Sequence, residues 1–111
     1  MEITHYCNSF LSVKINDTII VCDPWTGVTK DNAWLSYPNH NISEKFLKNL
    51  KPNYIYISHL HCDHFDSKTL NKFNKNTSII IKNFKDSRLK KKINNLGFKN
   101  IIECNSWDKK K

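Results

Sequence analysis

One arginine stands against 17 lysines in this chain of 111 residues. The net charge of +8 therefore rests on hydrated point charges, and the planar, forked donor that nucleic-acid surfaces favour is nearly absent. Asparagine and isoleucine accompany the lysines throughout, so the excess reads as compositional bias on solvated faces, not as a directed basic patch. No apolar run approaches the roughly 18 residues of a membrane span. The opening Met1-Glu2-Ile3-Thr4-His5 has neither the basic start nor the apolar core of a secretory signal, so the expected location is the cytoplasm. Cys-x-x-Cys is missing too. Cys7, Cys22, Cys62 and Cys104 are widely spread and are expected as reduced thiols. Finally, no histidine follows His64.

What is present suffices for one domain with a modest core. Hydrophobic residues make up 39% of the chain, somewhat few, but they come in clear runs. Residues 3–5 suggest a short strand. Residues 9–15 alternate, with Leu11, Val13 and Ile15 on one face, and Asn16-Asp17 signals a tight turn into an apolar strand at 18–22. Pro24 stops that strand. Residues 24–41 show no clean period. Trp25, Trp34 and Tyr37 there suit either pocket walls or a loop tied down by packing, and the second is preferred. Ser43 caps an expected helix reaching Leu50, with Phe46, Leu47 and Leu50 inward. A strand at 54–58 follows. Asp66 or Ser67 caps a helix to about Asn74, with Leu70 and Phe73 inward. A strand at 78–82, a helix capped by Asp86 or Ser87 and closed by Gly97, and a last strand through Ile101, Ile102 and Cys104 complete the order. Strands first, then helix and strand in alternation, predict an α/β layer: one sheet covered by helices.

The densest chemistry lies in Ser58-His59-Leu60-His61-Cys62-Asp63-His64, directly after a strand signal. Side chains two apart in an extended segment point the same way, so His59 and His61 form a pair and Asp63 keeps their parity. His64 adds a third imidazole where the chain must turn. Four titratable groups after an apolar strand are hard to bury without a cation. Imidazole and carboxylate are ligands of zinc, and suit iron or manganese as well. Cys62 would point away from His61 and Asp63, and packing is its expected role over metal ligation. His5 and His40 carry the ordinary reading of core or surface histidines. Asp23, at the tip of a buried strand, is open to two roles: a turn cap, or a carboxylate that accepts the second N–H of a ligating imidazole.

His59-Leu60-His61-Cys62-Asp63-His64 resembles the His-x-His-x-Asp-His signature of the metallo-β-lactamase superfamily. Many members have glycine just after the last histidine; here Phe65 and Asp66 stand there. That departure, with Asp23-Pro24-Trp25 and Tyr56-Ile57-Ser58-His59, looks like the branch of ascorbate-phosphate lactonases and CMP-sialate-hydroxylase-like proteins. The resemblance implies that His59 and His61 serve one metal, and Asp63 and His64 a second. Asp63 would also orient the attacking hydroxide. The implied fold is one half of an αββα sandwich, a mixed sheet flanked by helices, with residues 1–111 forming a single partial domain. The superfamily's further histidines and bridging aspartate have no counterpart after His64, where the remaining aspartates, Asp66, Asp86 and Asp108, carry cap or tail readings. The chain is therefore expected to be an N-terminal fragment with an incomplete dinuclear site.

Three functions follow as expectations. The first is a metal-dependent hydrolase of a small lactone, ester or phosphoester, weak or inactive as an isolated chain. The second is a metal-binding module completed by a partner chain or by self-association through an exposed apolar face. The third, a nucleic-acid-processing protein, is disfavoured by the scattered lysines. No membrane partner is expected.

Overall fold

The computed structural model describes residues 1–29, 32–38 and 41–111. The ordinary reading of His40 lies outside the described residues. Alternation in the first 22 residues becomes three antiparallel strands, β1 (Glu2–Cys7), β2 (Phe10–Ile15) and β3 (Thr18–Cys22). β1 is longer than the short strand expected at 3–5, and its register shifts between His5 and Cys7. Asn16 makes the β2–β3 turn at φ 53°, a left-handed conformation that asparagine tolerates. The chain then alternates: α1 (Glu44–Leu50), β4 (Tyr54–Ile57), α2 (Ser67–Leu70), β5 (Ser78–Lys82), α3 (Arg88–Asn95) and β6 (Ile101–Cys104). All six strands form one mixed sheet in sequence order, with β3 to β6 parallel. Parallel neighbours need crossovers, and the helices supply them. The observed class is thus the expected α/β layer.

Burial divides the sheet by residue parity. Val21, Ile55, Ile57, Ile79 and Ile81 are buried with Leu47, Leu70, Leu89 and Ile93 of the helices, and with Phe73 and Phe98. Their strand neighbours face the other way. Leu11, Val13, Ile20, Cys22, Tyr54, Tyr56, Ile80 and Ile102 are all apolar or aromatic, yet none is buried. A parallel sheet is ordinarily covered on both faces, and among the described residues this one is covered on one. An apolar face of that extent favours association. Light scattering is expected to show association rising with concentration, with binding of a hydrophobic dye. Tyr56→Lys combined with Ile80→Lys should suppress both. A monodisperse wild-type chain that ignores the dye would count against an open face.

Local signals set most helix ends. Ser43 Oγ accepts from the Phe46 N–H at 3.1 Å, and Lys51 ends α1 in the left-handed region. Phe46 departs from expectation: it is 40% exposed and meets the Tyr6 ring edge-on at 5.4 Å, while Leu47 takes the buried position. α2 stops at Leu70, short of Asn74, because Lys72 and Phe73 bond three residues back and tighten the chain into a turn. Leu70 and Phe73 still point inward. Gly97, at φ 96°, closes α3. The loop after β3 is divided: Trp25 is buried, whereas Trp34 and Tyr37 are exposed. All four cysteines are free thiols. Among the described residues no helix is long and apolar enough to cross a membrane.

Candidate metal centre at the strand ends

β3, β4 and β5 run parallel, so their carboxyl ends open on one side of the sheet. Crevices outside those ends are where open α/β sheets bind ligands. Asp23 follows β3 directly and Ser58 follows β4, and the pairing of Cys22 with Tyr56 brings the two ends together. Asp23 is 6% exposed, in the left-handed region at φ 41°. A carboxylate so far from water requires partners. Its Oδ1 accepts from the Ser58 backbone N–H at 2.7 Å. Its Oδ2 accepts from the Ser58 hydroxyl at 2.7 Å and from His64 Nδ1 at 2.8 Å. Of the two roles open to Asp23, orienting an imidazole is the observed one.

This network assigns the imidazole tautomers. The Ser58 hydroxyl donates to Asp23, so it accepts from His59 Nδ1, 2.8 Å away. His64 donates from Nδ1 as well. Both rings therefore carry a proton on Nδ1, which leaves Nε2 as the atom that a metal would take from the neutral ring. His59 Nε2 faces His61 Nδ1 at 2.9 Å, and the ring centroids of His59 and His64 are 4.1 Å apart. His64 Nε2 faces Asp63 Oδ2 at 3.5 Å. A lone pair set against a carboxylate is favourable only with a proton or a cation between them. Burial first, then the neighbouring His64 and His61 rings, push His59 below the ordinary histidine range. That shift favours the neutral, ligating form of the ring.

The predicted site residues thus come together as two facing pairs, His59 with His61 and Asp63 with His64. Among the described residues no group of three or more His, Cys, Asp or Glu side chains is set to hold one ion. The donor types fit a divalent metal. The number at each position falls short of the three protein ligands usual for catalytic zinc. Extended parity holds for His59 and His61 only. His64 and Phe65 donate their backbone N–H groups to the His61 carbonyl, and that turn swings Asp63 to His64. The packing role expected of Cys62 is not observed: the turn leaves Cys62 exposed, beside Trp25 and Phe65 in a cavity of about 790 Å³. His5 is an ordinary exposed histidine, 2.8 Å from the Asn8 carbonyl. Of the two expected caps, Asp66 is the one used: it accepts from the Lys68 N–H at 3.0 Å and starts α2.

Ser58 was missed as a functional residue. In the sequence it stood only as part of the Tyr56-Ile57-Ser58-His59 resemblance, and its role depends on a residue 35 positions away, at the end of the neighbouring strand. Asp86 and Arg88, whose sequence context announced a helix start, share a cavity of about 360 Å³ with His59 and His61.

No family model matches the chain. It is 29% identical over 105 residues to a protein of Mycolicibacterium smegmatis named as a Rieske 2Fe-2S iron-sulfur protein, a match to 93% of this chain and 20% of that one. It is 35% identical over 72 residues to cytidine monophosphate-N-acetylneuraminic acid hydroxylase of Asterias rubens, covering 63% of this chain and 11% of the relative. The chain therefore spans about a fifth or less of the curated relatives it matches. A Rieske cluster takes two cysteines and two histidines, and the loop here holds the single cysteine Cys62. Among solved structures, isothiocyanate hydrolase from Delia radicum gut bacteria superposes with a TM-score of 0.64 at 21% identity, over 92% of this chain and 40% of that one. A possible metal-dependent hydrolase of Veillonella parvula superposes at 0.62 and 21% identity, over 90% and 42%. At that identity the likeness establishes the fold: this chain has the α/β layer found within about two-fifths of each of these two proteins.

Proposed function

We propose that residues 1–111 form the metal-holding half of a metallo-β-lactamase-type hydrolase domain acting on a small lactone, ester or phosphoester. The observation that carries this is the pair of facing donor sets, backed by a buried carboxylate that assigns the tautomers of His59 and His64. Zinc, with manganese or iron as alternatives, would be held by His59 and His61 at one position and by Asp63 and His64 at the other. Such a metal lowers the pKa of water towards about 7 and polarises a carbonyl or phosphoryl oxygen. The chain's own residues supply the rest. Asp23 and Ser58 hold the rings, and Asp63 would orient the nucleophile. A cytoplasmic location belongs to the same proposal.

A second reading, a metal-binding module completed by another chain, is supported by the two-donor pairs together with the uncovered sheet face. Calorimetric zinc titration tests the site itself. One zinc is expected to bind weakly to the wild type. His61→Ala should lose more than the about 10–100-fold that removing an outer partner costs, because a direct donor is lost. Equal binding by the two proteins would sink the assignment.

A further inference from the structure

We propose that the uncovered face of the sheet takes a second copy of this chain, packed face to face about a two-fold axis parallel to the strands. The inference rests on the sheet alone and stands whether or not the centre takes a metal. Four Asp, Glu, Lys or Arg residues lie on the strands. Register gives Glu2, Lys14 and Glu103 the parity of the helix side, and Lys82 alone faces out, at the rim. A chain of net charge +8 thus keeps charge almost wholly off this face. A strongly acidic or basic partner would find nothing to pair with there, whereas an identical uncharged, apolar face matches it. The size is sufficient as well. Six strands about 4.8 Å apart and about five residues long make a footprint of about 500 Å². Two copies would bury about 1,000 Å², the size a specific interface needs.

Side-chain size selects the orientation. The order β1 to β6 puts the middle of the sheet between β3 and β4. An axis along the strands at that point lays each β4 across β3 of the other copy. Tyr54 and Tyr56 then meet Thr18, Ile20 and Cys22, large side chains over smaller ones, as sheets that interdigitate about 10 Å apart require. An axis across the strands would stack β4 on β4 and β3 on β3, tyrosine upon tyrosine beside a gap. The favoured packing keeps the helices outside in both copies and makes an aligned sandwich. Both histidine loops follow β4, so they share one edge of that sandwich, with the two β4 ends about 11 Å apart.

Sedimentation equilibrium of the full chain is expected to show a reversible dimer. Raising the salt should tighten it, because copies of charge +8 repel and no ion pair holds the face. Cys22 and Cys104 have the outward parity, while Cys62 lies exposed in the loop. Concentrating the chain should therefore suppress maleimide labelling of Cys22 and Cys104 and leave Cys62 reactive. A nitroxide on Cys62 in the Cys22→Ser, Cys104→Ser variant reads the orientation. Labels within about 25 Å of each other are expected; an axis across the strands would hold them about 30 Å apart or more. If that variant does not dimerise, the mass and labelling pattern of the wild type still decide. A monomer that binds a hydrophobic dye would overturn the inference and leave the face to a different chain. Association beyond the dimer, unprotected Cys22 and Cys104, or the longer label distance would overturn it too. His61→Ala, outside the face, should leave the dimer unchanged, so failure of the metal site and failure of the dimer are read separately.

Discussion

Asp23→Asn is expected to lower zinc affinity by about 10–100-fold while the chain stays folded. Asparagine keeps the volume and tolerates the left-handed backbone at this position. It cannot keep the hydrogen bonds. Three donors converge on the two oxygens of Asp23, and an amide has one oxygen. The Ser58 backbone N–H cannot rotate, so the amide oxygen must face it and the NH2 must face Ser58 Oγ and His64. The hydroxyl can turn to accept. His64 can accept only by losing the proton on Nδ1, which moves it to Nε2, the atom that faces Asp63. A protonated Nε2 cannot ligate. Nitrogen-detected NMR of the imidazole reads that exchange directly, alongside zinc titration. Unchanged affinity with an unchanged tautomer would refute the role given to Asp23. Asp23→Ala goes further. It leaves three donors without their acceptor and puts a Cβ-bearing residue with no polar side chain at positive φ, a loss of about 3–5 kcal/mol. Against total stabilities of about 5–15 kcal/mol, thermal or urea unfolding should show that variant strongly destabilised.

The 111-residue chain, supplied with zinc, manganese or iron, is expected to hydrolyse generic esters, lactones or bis-phosphoesters at a marginal rate at most. Each facing pair offers two donors, so an ion held there keeps more waters and exchanges readily. Activating water survives a loose shell. Oriented attack and stabilisation of the developing oxyanion do not, since a misplacement of about 1 Å costs around a hundredfold in rate. The control is Asp63→Ala. Robust multiple turnover by the wild type, abolished by that substitution, would show a complete site, assembled across two copies of the chain, and the partial-domain reading would fail.

Much of the fold was legible in the residues because its signals are local. The closing Gly97 of α3, the β-branched run of β5 and the caps Ser43 and Asp66 each depend on neighbours a few positions away. Where expectations slipped, competition across space decided. Phe46 has the helical phase of a core residue, but Leu47 won the interior and Phe46 settled on the edge of Tyr6. Cys62 was assigned by strand parity, and the turn closed on the His61 carbonyl cancelled that parity and left the thiol exposed.

The sequence by itself determined which donor types stand together, because four of them lie within six residues of one loop. It also determined the α/β order, through the alternation of helical and strand periods. Tertiary structure alone decided which nitrogen of each ring is free. That choice depends on Asp23 reaching Ser58 and His64 across 35 and 41 positions of chain, a distance that only the parallel pairing of β3 with β4 closes. It likewise brought Arg88 from the end of β5 to the cavity of His59 and His61, since parallel strands deliver their following loops to one side whatever their separation in sequence.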